Sequence, residues 1–347
     1  MMRRIILVTG CAGFIGSNFV YHSLREHPDM TIIGYDKLTY AGNPENLSHI
    51  PDNQKNRFVF IKGDICDAGM VEKVFRDYQI DGVVHFAAES HVDRSIEDPQ
   101  VFLKSNILGT FVLLDAARKF WPRETLESRR FVQISTDEVY GSLGPEGYFT
   151  ETTPLDPHSP YSASKAGADH LASAYHDTFG LPVVITRCSN NYGPYQFPEK
   201  LIPLVIVRTL RHETLPVYGD GKQIRDWLYV EDHCNAVDRV FEDGIPGEVY
   251  NIGGNNEREN IELVRMLVSV LREETGDKRI NEELIKHVAD RPGHDRRYAI
   301  DSSKIRRELG WIPQTGFQEG IQKTVRWYLE NRTWIERVIS GTYKVNS

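Results

Sequence analysis

Two short stretches of the chain hold residues whose types and spacing can move protons. Tyr161-Ser162-Ala163-Ser164-Lys165 sets a phenol and an ammonium at i and i+4, on one face of a helix. A tyrosine titrates near pH ~10 and is a poor base at neutral pH. A neighbouring ammonium stabilises the phenolate, so that it can take a proton from a substrate hydroxyl. Upstream, Ser135-Thr136-Asp137-Glu138-Val139-Tyr140-Gly141 places a hydroxyl and two adjacent carboxyls after the apolar run Phe131-Val132-Gln133-Ile134. Like charges that close raise a pKa, so one carboxyl stays protonated as an acid while the other serves as a base. Either stretch alone also suits an ordinary helix face or a pair of solvated loop acids. Their succession behind a strand end favours catalysis.

The elements that must position these groups alternate regularly. Ile5-Ile6-Leu7-Val8 is a continuous apolar run, as in a parallel strand buried on both faces. Further strands are predicted at Ile32–Tyr35, Phe58–Ile61, Val83–Phe86, Phe131–Ile134 and Val183–Ile185, with helices over about 14–27, 70–78 and 101–120 between them. That rhythm predicts an α/β fold, a doubly wound parallel Rossmann sheet over residues 1–190. After about Asn190, Pro194, Pro198 and Pro203 cluster and helical segments dominate (263–274, 302–309, 318–331). A smaller, mostly helical C-terminal substrate domain over 191–347 is the expectation. Leu228-Tyr229-Val230 and Val249–Ile252 could still add strands to the first. Ligands bind such sheets above the strand ends.

The first strand runs into Thr9-Gly10-Cys11-Ala12-Gly13-Phe14-Ile15-Gly16. Gly10, Gly13 and Gly16 allow a sharp strand-to-helix turn and a close approach to a pyrophosphate, which the helix N-terminus of Phe14 and Ile15 then faces. Asp36 follows the second strand, where its carboxylate can accept from an adenosine ribose and repel a 2′-phosphate, favouring NAD over NADP. Lys37 beside it works the other way, since a cation can accommodate that phosphate. Asp64-Ile65 follows the third strand, where an acid can meet the adenine amino group. Phe86-Ala87-Ala88-Glu89-Ser90 follows the fourth, with small residues that allow close packing on a cofactor. His85 and His91 have no HExxH or cysteine partner and read as structural rather than metal ligands; no metal is predicted.

The set TGxxGFIG, AAxS, ST and YxxxK resembles the extended short-chain dehydrogenases/reductases that act on nucleotide sugars. The resemblance implies that Thr136 hydrogen-bonds the sugar 4-hydroxyl and Tyr161 removes its proton, with Lys165 in support. It is strongest to the 4,6-dehydratase branch, through Asp36–Asn43, Glu89–Ser95, Ser189–Pro194, Gly219–Gly221, Ile224–Trp227 and Asp290–Asp295. With a ketone at carbon 4 the carbon 5 proton is acidic; Glu138 then abstracts it and Asp137 protonates the departing 6-hydroxyl. The branch implies dTDP-glucose as substrate and a homodimer built from helices 101–120 and 163–179. The cofactor set it implies adds Leu38, Thr39, Ser90, Ser105 and Asn191. The sugar nucleotide falls to Ser90, Asn190, Lys200, Leu201, Pro216, Tyr218, Arg225, Asn260, Arg291, His294 and Tyr298. Arg225 and Arg291 can each offer a bidentate fork to a diphosphate. Cys11 and Ser105 stand where the branch often has Gly and Thr. A UDP- or GDP-sugar 4,6-dehydratase or 4-epimerase is the near alternative, and an NAD-binding sensor the remote one.

Composition excludes other classes. The 347 residues carry 41 Lys+Arg against 49 Asp+Glu, a formal charge of −8 that argues against nucleic acid or anionic lipid as partner. No apolar run reaches about 18 residues, as a membrane span would require. The first apolar stretch is too short for a signal peptide, and Cys11, Cys66, Cys188 and Cys234 are scattered, so a cytoplasmic protein with reduced thiols is expected.

Overall fold

Runs of consecutive apolar residues become strands covered on both faces. The computed structural model describes residues 4–290 and 295–346. Its strands begin with β1 (Arg4–Thr9), β2 (Met30–Asp36), β3 (Phe58–Lys62), β4 (Gly82–His85), β5 (Arg130–Thr136) and β6 (Val183–Cys188). There follow β7 (Asn190–Tyr192), β8 (Leu215–Tyr218), β9 (Ile224–Tyr229), β10 (Val249–Ile252), β11 (Glu257–Glu259) and β12 (Ile285–Val288). Seven of them form one sheet in the order β10-β6-β5-β4-β1-β2-β3, every neighbouring pair parallel. The order reverses between β1 and β4, and that switch point opens a crevice at the carboxyl ends of the strands.

Successive side chains of each strand feed opposite cores. Ile6 and Val8 of β1, Ile32 of β2 and Val84 of β4 join helices Phe14–Glu26, Val230–Asp243 and Ser303–Leu309 on one side. Leu7, Ile33 and Val83 meet helices Ala68–Tyr78, Gly109–Phe120 and Pro160–Phe179 on the other. The edge strand β3 is the least covered, with Phe60 partly in solvent. A separate core, including Ile206, Leu263, Leu267, Ile321 and Val325, lies among helices Leu201–Leu210, Asn260–Thr275 and Phe317–Glu330. The chain after residue 190 thus builds its own core yet returns to the main sheet through 230–243, β10 and Ile305.

Two details differ from the pattern in the sequence. Of the two later strand candidates, only Val249–Ile252 joins the main sheet, beside β6; Leu228 and Tyr229 belong to β9, in a three-stranded sheet with β7 and β11. Val230 begins a helix. The helix expected over 101–120 is also interrupted. Pro99–Phe102 is α-helical, Leu103–Leu108 widens to a π turn, and Gly109–Phe120 resumes the α form. Buried Asn106 lies in the wide turn. Its side chain accepts from Glu89 N at 2.9 Å and donates to Glu89 O at 3.0 Å and Ser164 Oγ at 2.8 Å, tying the helix to the loop after β4. Such turns often mark functional sites, and Ser105 here faces the crevice. No helix among the described residues is long and apolar enough to cross a membrane.

Candidate active site

The crevice holds a cavity of about 370 Å³. At one end the glycine turn closes tightly. Gly10 has φ +69°, and a Cβ there would lie 2.6 Å from Ala87 N. A Cβ on Gly16 would stand 2.2 Å from Gly10 O, so neither position accepts a side chain. Gly13 caps helix Phe14–Glu26 without a side-chain acceptor, which leaves the first-turn N–H groups for a ligand. Phe14 and Ile15 line the cavity with all three glycines.

Asp36 also lines it, but both carboxylate oxygens already work within the protein. Oδ2 accepts from Ala12 N at 3.0 Å and Oδ1 from Leu38 N at 2.8 Å, so the acid braces the glycine turn as well as offering lone pairs to a ribose. Burial raises its pKa. Lys37 pairs with Asp64 at 2.7 Å, which engages the ammonium that could otherwise have favoured a 2′-phosphate. Burial pushes Asp64 up, but the Lys37 ammonium and the Cys66 N–H outweigh it and hold the carboxyl below its usual range. Thr39, Ile65, Phe86, Ala87, Ala88, Ser90, Ser105 and Asn191 line the cavity. Leu38 does not; at φ +57° it packs partly against the core. His85 is structural, held between Thr9 Oγ1 (2.7 Å) and Thr110 Oγ1 (3.1 Å), and burial lowers its pKa to about 3.

The proton-transfer groups converge at the other end. Thr136 ends β5, and the chain turns at once through a 3-10 segment, Asp137–Tyr140. The Thr136 hydroxyl accepts from Glu138 N at 3.3 Å and donates to Asp137 Oδ1 at 3.3 Å. Tyr161 lies in the first turn of helix Pro160–Phe179, whose start is fixed by a reciprocal Ser159–Ser162 capping box. The neighbouring Thr136 hydroxyl works to lower the pKa of the Tyr161 phenol. Asp137 is fully buried, and its Oδ2 has no partner within the protein. Burial first, then the nearby Glu138 and Asp226 carboxyls, raises its pKa well above the ordinary value.

Tyr161 and Lys165 differ from the simple picture of a phenol beside an ammonium. Lys165 Nζ donates to Ile134 O at 2.5 Å, and burial lowers its pKa. Burial and the Glu138 carboxyl raise the Tyr161 pKa well above 10. A low-dielectric site penalises the phenolate, so in this state the phenol is neutral.

The structure gathers Thr136, Asp137, Glu138, Tyr161, Lys165, Ser90, Asn190 and Lys200 around one cavity, with Lys200 Nζ donating to Ser90 O at 2.8 Å. Ser135 Oγ, Asn190 Oδ1 and Asn191 Oδ1 are buried there without protein partners, polar atoms that a bound ligand would satisfy. Arg225 lies outside the lining but close to Asp137, whose pKa it lowers. Its guanidinium sits 4.2 Å from the Tyr298 ring centroid, and Nη2 donates to Asp295 O at 2.9 Å. Leu201, Pro216, Tyr218, Asn260 and Tyr298 also lie outside that cavity's lining; Pro216 and Tyr218 stand on β8, beside β12. Arg291 and His294 lie outside the described residues. Sequence reasoning missed Cys188 and Gln196, which line the cavity, and Asp226, whose carboxyl helps raise the Asp137 pKa. Asp226 stands inside the quoted 224–227 motif, a signal that was present but silent on direction.

Asp137→Asn tests the electrostatics. A pKa raised on folding makes the native state bind an extra proton, and that stability is lost as pH rises through the folded pKa. The amide mimics the neutral acid and removes this loss. Thermal unfolding of Asp137→Asn should show Tm raised by about 2–4 °C at alkaline pH, and an equal or lower Tm there would contradict the assignment.

The seven-stranded sheet, the glycine turn and the Thr136, Tyr161 and Lys165 groups define an extended short-chain dehydrogenase/reductase fold. The family described as GDP-mannose 4,6 dehydratase matches residues 7–324, and the chain belongs to it. A dTDP-glucose 4,6-dehydratase of Xanthomonas campestris is 53% identical over 344 residues, covering 98% of this chain and 97% of that protein. One from Neisseria meningitidis serogroup B is 54% identical over 350 residues, covering 99% and 98%. The solved dTDP-glucose 4,6-dehydratase of Streptomyces venezuelae, with NAD and dTDP bound, superposes with a TM-score of 0.88 at 49% identity, covering 96% of this chain and 99% of that one. A UDP-glucose 4-epimerase of Thermotoga maritima, with UDP-glucose, shares the fold at a TM-score of 0.83 and 30% identity, covering 94% and 99%.

Proposed function

We propose that the chain converts dTDP-glucose to dTDP-4-keto-6-deoxyglucose and water, with NAD held throughout the cycle. The observation that carries this reading is Asp137, a fully buried carboxyl beside Glu138 on the same cavity as Tyr161, with its pKa raised by burial. A 4-epimerase oxidises and reduces one carbon and has no use for a second acid. Burying a carboxyl with one oxygen left without a protein partner costs stability, so its presence points to proton donation during chemistry. The sequence reading of residues 1–190 as the cofactor part and 191–347 as the sugar-nucleotide part is carried forward with this proposal.

The residues present suit NAD. The glycine turn and open helix N-terminus would hold its pyrophosphate, Asp36 the adenosine ribose, and Asp64 with Ile65 the adenine. Bound NAD supplies the hydride acceptor for carbon 4, the hydride donor for carbon 6 and, while oxidised, a positive charge near the phenol. Thr136 orients the 4-hydroxyl and Tyr161 takes its proton. Lys165, fixed on the Ile134 carbonyl, adds the cation that a phenolate needs. Glu138 then removes the carbon 5 proton made acidic by the ketone, and Asp137 protonates the 6-hydroxyl, which departs as water. Glu138 returns its proton to carbon 5. Tyr161 is left protonated and Asp137 ionised, so one proton must pass from phenol to carboxylate before the next turnover.

Mass spectrometry after incubation with dTDP-, UDP- and GDP-linked hexoses tests the assignment. Loss of one water from dTDP-glucose is the expected result. Loss from a UDP or GDP sugar alone would keep the chemistry and overturn the nucleotide.

A second copy of the chain is the proposed partner. Leu103, Leu108, Phe111 and Phe179 are large apolar side chains exposed on helices 99–120 and 160–179, which pack side by side. Large apolar side chains exposed on two neighbouring helices suit a self-complementary contact. Leu103→Glu with Phe111→Glu should convert a dimer to a monomer by sedimentation; an unchanged dimer would place the interface elsewhere. Four free thiols accord with a cytoplasmic location.

A further inference from the structure

Tyr161 and Lys165 act at carbon 4 while Asp137 and Glu138 act at carbons 5 and 6 of one sugar ring. The first pair rides on helix Pro160–Phe179 and the second on the turn after β5. Backbone continuity does not fix one against the other, because more than 20 residues separate Glu138 from Tyr161. Something else must hold them in register.

A chain of buried side chains spans that gap. Asp169 stands one helical turn beyond Lys165, on the same face. Arg187, on β6, donates from Nε to Asp169 Oδ2 at 2.9 Å and from Nη1 to the Tyr140 hydroxyl at 2.9 Å. Tyr140 is the last residue of the 3-10 turn that begins at Asp137. Its hydroxyl donates to Asn251 Oδ1 on β10 at 2.8 Å, and its ring stacks on Phe149 with centroids 5.0 Å apart. The Arg187 and Asp169 side chains are only 7% and 1% exposed. A buried ion pair is seldom the best route to stability, since apolar residues of equal volume serve as well or better. What a guanidinium adds is a rigid planar fork that fixes two partners at set distances and angles.

We propose that Arg187, with Asp169 and Tyr140, is a positioning bracket that holds the Asp137–Glu138 turn in register with the Tyr161–Lys165 helix. None of the three needs to touch the substrate. The proposal rests on the dehydratase reading for its kinetic consequence, but not for its structural one. Losing the bracket leaves oxidation at carbon 4 nearly intact and slows the elimination, because the acid and base lose their aim at carbons 5 and 6.

Tyr140→Phe is the primary test, since it removes one hydroxyl and leaves the stacked ring. Arg187→Lys keeps the charge and removes the fork. With NAD-loaded enzyme and dTDP-glucose, each should lower kcat about 10- to 100-fold, the scale of an ångström of misplacement, with KM changed less than twofold. The fraction of bound nicotinamide found reduced during steady turnover, read by its near-ultraviolet absorbance, should rise. Amide hydrogen exchange over 137–141 should quicken while the rest of the chain is unchanged. An unchanged kcat overturns the proposal. So does a fall in kcat with the reduced fraction unchanged, or exchange quickened throughout the chain, which would mark a merely structural role. If the unaltered enzyme releases no water from dTDP-glucose, the dehydratase reading fails, and local exchange over 137–141 alone decides whether the bracket exists.

Discussion

Glu138→Gln should lower kcat by about 10²- to 10⁴-fold, the contribution of a positioned general base, while leaving substrate oxidation in place. The amide keeps the size of the carboxyl but cannot accept the carbon 5 proton. The ketone at carbon 4 then forms and waits. Reduced nicotinamide should accumulate on the enzyme after dTDP-glucose is added, and little 6-deoxy product should appear. Glu138 is only part-buried and faces the cavity beside Asp137, so the swap to an amide disturbs no packed core. Full turnover in this variant, or no reduced nicotinamide at all, would remove Glu138 from the role of base.

Tyr161→Phe should fail one step earlier. Without the phenol no group is placed to take the 4-hydroxyl proton, so kcat should fall by about 10²- to 10⁴-fold with no reduced nicotinamide accumulating. The two variants therefore give opposite spectroscopic signatures for similar losses of rate. A folded-state effect cannot produce that contrast, because both residues lie at the same cavity. Reduced nicotinamide in Tyr161→Phe at the level seen in Glu138→Gln would show that another group takes the first proton. Tyr161 also has a pKa raised by burial, so the oxidation step should gain with pH as more phenolate forms, until Asp137 loses its proton. Rate against pH should rise and then fall, the falling limb being absent for the oxidation half-reaction alone.

Much of this site was legible in the sequence because its chemistry is local. The glycine turn, the Thr136–Glu138 run and the Tyr161–Lys165 pair each lie within a few residues, directly after strands whose apolar runs are unmistakable. Spacing alone did not say where a flexible side chain ends. Tyr161 and Lys165 share a helix face, yet Nζ reaches the Ile134 carbonyl, a partner on β5 that no local pattern reveals. The π turn at Leu103–Leu108 is illegible for the same reason, since Asn106 is bonded to Glu89 and Ser164, 17 and 58 residues away. Leu228-Tyr229 at the end of β9 and Val249–Ile252 in β10 are both short, largely apolar runs. One pairs with β6 and the other with β7 and β11, and that choice depends on partners remote in the chain. Arg225 was recognisable from its motif, but the motif did not disclose that the arginine is stacked on Tyr298 outside the cavity's lining.

In the proposed cycle one cavity oxidises carbon 4, expels the 6-hydroxyl and reduces carbon 6 without releasing the sugar. This cycle is tested most directly with dTDP-glucose carrying deuterium at carbon 4, the product being examined by mass spectrometry and NMR. The expected product is a 4-keto sugar lighter by one water, with the deuterium on the carbon 6 methyl. Deuterium retained at carbon 4 of an epimerised sugar, with no water lost, would contradict it.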